Sequence, residues 1–214
     1  MSRLDAADFL AYLDEAIEQG IIGNQERKLL LKDMPAILDS IYYGRRTEKT
    51  ISIRSGVGAG NFFELKLPGY VRTYYNHKLS TEVWYKNNDF KELHREGDKP
   101  AYISYDENGK LDIEEWRYKG VRNREDDKPS YIMYGHNNQP NIEEWAQGGI
   151  RQRNSDKPSY IEYYENGKVY LEQWYRKGEI HRDGGKPARI IYDQQGEIAE
   201  EEFWVTGSRV QRRN

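Results

Sequence analysis

Hydrophobic and polar positions alternate in short runs along most of this chain, and the runs return at a fixed spacing. Tyr102-Ile103-Ser104-Tyr105 reads as a half-buried strand of period two, followed by a turn and a second alternating run that ends on Trp116. The same order of features recurs downstream. Trp84, Trp116, Trp145, Trp174 and Trp204 are separated by 32, 29, 29 and 30 residues, and Pro100, Pro129, Pro158 and Pro187 by 29 each time. Pro68 stands 16 residues before Trp84, the offset that also joins Pro100 to Trp116, so a fifth copy opens the series. The spacing predicts five units, 68–99, 100–128, 129–157, 158–186 and 187–214, each built around a β-hairpin.

Two turns punctuate each unit. Asn108-Gly109 and Asn166-Gly167 suit a two-residue type I′ turn, in which both central residues need positive φ; Asn76-His77, Asn137-Asn138 and Gln195-Gly196 are weaker forms of the signal. A second turn is expected at Lys119-Gly120, Gly148-Gly149 and Lys177-Gly178. The recurrent Lys-Pro should start a strand or mark a bend, because proline fixes φ and cannot donate to a ladder.

Strand parity puts Trp116 with Glu114, Trp145 with Glu143, and Trp174 with Glu172 on one face. Stacked units would then carry a ladder of Trp beside a ladder of Glu, and aligned carboxylates repel unless neutralised. Arg124, Arg153, Arg182 and Arg212, each eight residues after a Trp, are the expected counter-charges.

These words together resemble the variant MORN repeats: a Tyr-x-Tyr strand, an Asn-Gly turn, a Glu-x-Trp strand and a Lys-Gly turn. The His-Arg-x-x-x-Lys-Pro joint, seen at His181 to Pro187, resembles a longer form met in phage, large-DNA-virus and bacterial proteins. The resemblance covers about two thirds of the chain and implies an interaction scaffold, with lipid contact and antitoxin-like inhibition as further roles within the family. The unit is longer than the usual MORN repeat and has fewer glycines.

Ahead of the repeats the period changes. Residues 4–19 place Phe9, Leu10, Leu13 and Ile17 on one helical face with Gly20 as a stop. Asn24 is expected to cap a second helix carrying Leu29, Leu30 and Leu31, and Asp33 and Pro35 to open a third that Gly44 closes. Residues 1–45 therefore read as a helical cap for the sheet edge or as a docking segment, and 46–67 as a linker and β-hairpin junction. The glycines of Ser55 to Gly60 lack a following Gly-Lys-Ser/Thr, which argues against a phosphate loop.

Composition supports a thin sheet. Apolar residues make up 36% of the chain while Tyr numbers 18 and Trp 5, rings that bury a face and keep a polar edge wet. Cysteine is absent, so disulfide and thiolate-metal chemistry are excluded. Thirty-three basic and 36 acidic residues are interspersed, giving no general field for nucleic acid. No signal peptide and no apolar run long enough for a membrane span is read, so a soluble cytoplasmic protein is expected.

Catalysis is not expected. His94 and His181 share a repeat position that Asn123 and Gln152 fill elsewhere, as a polar turn site would allow. Glu114, Glu143 and Glu172 are near-equivalent, whereas acid–base chemistry needs carboxyls of unequal pKa. The expectation is a mainly β array of antiparallel hairpins, an elongated twisted meander, with a small helical N-terminal segment. It would serve as a non-enzymatic structural or adaptor protein, without cofactor or metal, that binds a protein partner and self-associates through its terminal strand. An inhibitor of a toxic enzyme, and a carbohydrate-binding protein or hydrolase with its cleft at residues 87–93 or around Glu200 to Glu202, are the alternatives.

Overall fold

The computed structural model describes residues 6–42, 52–58, 60–67, 69–76, 78–86 and 90–211. Two helices come first, α1 (Ala6–Glu18) and α2 (Asn24–Tyr42). Gly20, at φ 68°, ends α1 by donating its N–H to the Ile17 carbonyl. Gly23, not Asn24, is the cap of α2: its carbonyl accepts from the Arg27 N–H, and its own N–H donates to the Glu26 carboxylate at 3.0 Å. The expected third helix is the second half of α2, which runs through Pro35. Proline forfeits one backbone bond, but Leu30 and Ile37 on either side of it are both fully buried in the same core, and that burial outweighs the loss.

The junction hairpin β1 (Ser52–Gly58) and β2 (Gly60–Leu67) starts the sheet. The first unit adds β3 (Tyr70–Tyr75) and β4 (Lys78–Trp84). The second has four strands, β5 (Tyr102–Tyr105), β6 (Leu111–Glu115), β7 (Arg117–Tyr118) and β8 (Val121–Arg122). The third repeats them as β9 (Tyr131–Tyr134), β10 (Pro140–Glu144), β11 (Ala146–Gln147) and β12 (Ile150–Arg151). The fourth follows as β13 (Tyr160–Tyr163), β14 (Val169–Gln173), β15 (Tyr175–Arg176) and β16 (Glu179–Ile180). The fifth comprises β17 (Arg189–Tyr192), β18 (Ile198–Val205) and β19 (Ser208–Val210). The long strands form one antiparallel meander in chain order, and β7–β8, β11–β12 and β15–β16 are separate two-stranded ladders beside it. In the fifth unit β18 does both jobs, pairing with β17 through residues 198–202 and with β19 through 203–205.

From the second unit onward the two-residue geometry expected of the first turn is found in the second turn instead. In the first turn only Gly109 is left-handed, at φ 78°; its N–H reaches the Asp106 carbonyl, and the Asp106 N–H bonds the Lys110 carbonyl. This is a three-residue connection that ends in a glycine bulge. Gly167, Gly196 and, at φ 63°, Asn138 stand in the same place. The Asp106 carboxylate holds the loop by accepting from the Asn108 and Lys110 N–H groups at 2.8 Å each. The type I′ pair is instead the second turn, where Lys119-Gly120, Gly148-Gly149, Lys177-Gly178 and Thr206-Gly207 all have positive φ. Gly149 must also be small, since a Cβ there would lie 3.1 Å from the Val121 side chain.

β2 occupies the free side of β3, while α1 and α2 lie on one sheet face, where Phe9, Leu13, Leu30 and Ile37 pack with Leu65, Tyr70, Tyr74 and Trp84. RRTEKT, Pro68, His77, residues 87–89 and Arg212 fall outside the described residues.

Candidate protein-interaction surface

Four side-chain ladders run across the units, and three were misread or missed in the sequence. In the first ladder, Trp84, Trp116, Trp145 and Trp174 are buried, each opposite a small residue of the next unit such as Ser130 or Ala188. A guanidinium lies over every ring, Arg95, Arg124, Arg153 and Arg182 at 3.6, 3.6, 3.9 and 3.8 Å from the centroid, and donates to a proline carbonyl at Pro100, Pro129, Pro158 and Pro187. Trp204 is not the fifth member. β17 and β18 repeat the register of β13 and β14 at +29, with Tyr160↔Gln173 becoming Arg189↔Glu202, so Phe203 takes the place of Trp174. Trp204 stands one residue on, half-buried and packed against the cluster of Trp174, Ala188 and Ile190, with its indole N–H on Glu202 at 2.9 Å.

The arginines over the tryptophans do not ion-pair with Glu114, Glu143 or Glu172. Their partners are Asp98, Asp127 and Asp156, one unit back: Arg124, Arg153 and Arg182 donate through Nε at 2.6, 2.6 and 2.7 Å, and Lys128, Lys157 and Lys186 join at 2.6, 2.6 and 2.7 Å. These hydrogen bonds, the arginine's foremost, hold all three aspartates down at about 2.

The glutamates that share the tryptophan face are satisfied by tyrosines. The hydroxyls of Tyr105, Tyr134, Tyr163 and Tyr192 donate to Glu82, Glu114, Glu143 and Glu172 of the preceding unit at 2.9, 2.7, 2.7 and 2.8 Å. Burial and then the facing carboxylate push the phenols upward, Tyr192 to about 12, so each remains a donor.

The fourth ladder occupies the opposite face. Glu115 and Glu144 are buried; Arg117 and Arg122 bond Glu115, and Arg122 at 2.9 Å and Arg151 bond Glu144. Burial works to raise the Glu115 carboxyl, but its two arginines hold it below its usual value. At the same positions the fourth unit has Gln173 and Ile180, the first has Val83 and Leu93, and the fifth returns to Glu202 and Arg209, 3.4 Å apart. The acid and the base change together.

His94 and His181 lie at joints between units. Nδ1 of each accepts a backbone N–H from a later unit, Lys119 at 3.1 Å and Thr206 at 3.2 Å, and Nε2 meets Glu96 and Asp183 at 2.9 Å. Asn123 performs the first role toward Gly148 at 2.9 Å, which is why one position accepts both residue types. Among the described residues no three His, Asp or Glu side chains are grouped as a metal site requires.

Most of the exposed large apolar side chains among the described residues share a location: Tyr118, Val121, Ile150, Val205 and Val210 lie on the second hairpins, while Tyr75 and Ile198 lie on the main sheet. A groove of about 540 Å³ runs between successive hairpins, with Val121, Ile150, Arg122, Arg151, Glu144 and Tyr175 on its walls. The Gly149 and Gly178 N–H groups bond the Arg122 and Arg151 carbonyls of the unit before, which sets the hairpins side by side. No helix among the described residues is long and apolar enough to cross a membrane. No protein-family model, curated protein or solved structure matches the chain.

Proposed function

We infer that this chain is a non-enzymatic scaffold or adaptor and that its row of second hairpins binds a protein partner. The carrying observation is the concentration of exposed Tyr118, Val121 and Ile150 beside arginines that keep about 30% of their side-chain surface in water. Apolar contacts rimmed by partly hydrated guanidinium groups suit an apolar, acidic segment of another protein, and arginine and aromatic residues are the usual anchors of such contacts. Successive hairpins offer the same contact once per unit, as a scaffold would use it. The resemblance to variant MORN arrays points the same way. The tryptophan row is buried beneath arginine and has no open ring face for a sugar or a base.

The test is affinity capture from the native source with the intact chain and with a variant carrying Val121→Asp and Ile150→Asp. Both side chains are more than 40% exposed, so the variant should fold with an unchanged circular dichroism spectrum and lose a stoichiometric partner. Capture that is identical for the folded variant would overturn the reading.

A further inference from the structure

We propose that the outer edge of β18 is a second docking site, separate from the hairpin row, and that it takes an extended strand of the order Arg-Ile-x-Tyr from another protein. The array itself holds the precedents. β6, β10 and β14 each give one edge to the first strand of the following unit. On β14, Leu171, Glu172 and Gln173 face Ile191, Ile190 and Arg189; the Tyr192 hydroxyl donates to Glu172 at 2.8 Å and the Trp174 N–H to the Ala188 carbonyl at 2.9 Å.

At +29 the same positions on β18 are Glu200, Glu201, Glu202 and Phe203. Residues 198–202 pair with β17 on one side, and among the described residues no strand lies on the other, because β19 pairs only with 203–205. Glu201 is exposed, whereas Glu114, Glu143 and Glu172 are half-buried beneath their tyrosines. Ile198, 55% exposed, adds an apolar contact at the start of the edge.

Charge selects the occupant. Two copies of β18 paired about a two-fold axis would set Glu200, Glu201 and Glu202 against one another, and like charges directly opposite are destabilising. The edge is thereby protected against its own copy. It remains complementary to a basic strand: among the described residues Glu200 pairs with Arg209 alone, at 3.6 Å, and Glu202 shares that arginine with Arg189 at 3.2 Å. An incoming strand supplies backbone hydrogen bonds for affinity, a tyrosine hydroxyl for Glu201, and a cation opposite Glu202, which is strand addition with side-chain selection.

The probe is already present in the chain. A fluorescein-labelled peptide of Gly184–Gln194, GGKPARIIYDQ, contains the strand that fills the β14 edge, and it is titrated with the full chain by fluorescence anisotropy. The expected result is saturable one-to-one binding that weakens with added salt. Tyr192→Phe in the peptide should weaken it about five-fold, the loss of one hydrogen bond. Glu201→Lys in the chain, an exposed substitution that should leave the circular dichroism spectrum unchanged, should weaken it further. The Val121→Asp, Ile150→Asp variant should bind the peptide as the parent chain does, which separates this site from the hairpin row. No binding at roughly 1 mM peptide, equal binding of a scrambled peptide, or full binding by Glu201→Lys would overturn the proposal. Self-association of the parent chain that Glu201→Lys abolishes would overturn the choice of occupant.

Discussion

Replacing Glu144 by glutamine should destabilise the protein by about 1–2 kcal/mol, and adding Arg151→Ile should recover most of that loss. The Glu144 side chain is 8% exposed and bonds Arg122 and Arg151. Removing one partner of a fully buried pair costs about 3–5 kcal/mol. Here the figure is smaller for two reasons: Arg122 retains Glu115, and Arg151, though without its carboxylate, keeps its tyrosine contacts and 31% of its side-chain surface in water. The fourth unit already carries the double replacement, since Gln173 and Ile180 stand where Glu144 and Arg151 stand in the third, and Ile180 packs beside Trp174, Ala188 and Ile190. Arginine's stacking on Tyr160 and Tyr175, at 5.0 and 4.8 Å, is lost with it, so recovery should stop roughly 0.5–1 kcal/mol short of the parent. The assay is a double-mutant cycle in urea, followed by circular dichroism and read from midpoints at constant slope, because an array of units need not unfold in a single step. A double variant as unstable as the sum of the two single ones would refute the reasoning, as would a Glu144→Gln protein indistinguishable from the parent.

Two further predictions concern the joints. Trp145→Ala should cost about 3–5 kcal/mol and Trp204→Ala, half-buried at the edge of the Trp174 cluster, clearly less, about 1–2 kcal/mol; equal losses at 145 and 204 in thermal or urea unfolding would restore Trp204 to the row. Asp98, Asp127 and Asp156 have folded pKa values of about 2, below those of an unfolded aspartate, so their contribution is present above about pH 4 and is lost as pH falls toward 2. Asp127→Asn should therefore flatten the fall in unfolding midpoint between pH 4 and 2, and the difference should shrink in high salt because these carboxylates are exposed. A pH profile parallel to that of the parent would contradict the assignment.

The sheet, its antiparallel order and the two-turn unit were legible in the sequence because each rests on local rules: alternation for strands, Gly and Asn for turns, and a constant spacing for the repeat. The errors came where the rules were applied to identity rather than position. Trp204 looked like the fifth member of its row because tryptophan is conspicuous, yet the register runs through Phe203. Asn108-Gly109 looked like a two-residue turn, yet a carboxylate at Asp106 able to bond two loop N–H groups favours the longer connection. Lys119-Gly120 adopts the type I′ geometry without Asn or Asp, with Lys119 at φ 50° and Gly120 at φ 81°, so a glycine at the second position suffices.

The ion pairs were harder, and the reason is distance along the chain. Arg124 was assigned to Glu114, ten residues away, whereas its partner Asp98 lies 26 residues back, a separation no local pattern reveals. The sequence does carry one signal: Glu115 with Arg122, Glu144 with Arg151 and Glu202 with Arg209 are each seven apart, and at the same offset the pair turns into Gln173 with Ile180. Concerted change at a fixed offset within a repeat is internal evidence of contact.

The two ends of the array answer the same physical problem differently. Every tyrosine of the Glu–Tyr ladder needs an acceptor from the unit before it, and the first unit has none. Asp33 of α2 fills that vacancy, accepting from the Tyr74 hydroxyl at 3.1 Å and from Arg72 at 3.0 Å, while Arg72 also bonds Glu82 at 3.0 Å inside the core. The helical segment therefore supplies the side-chain chemistry of a missing unit while its apolar residues cover the sheet face. Among the described residues no such imitation stands at β18, where three successive glutamates raise the cost of pairing with like strands.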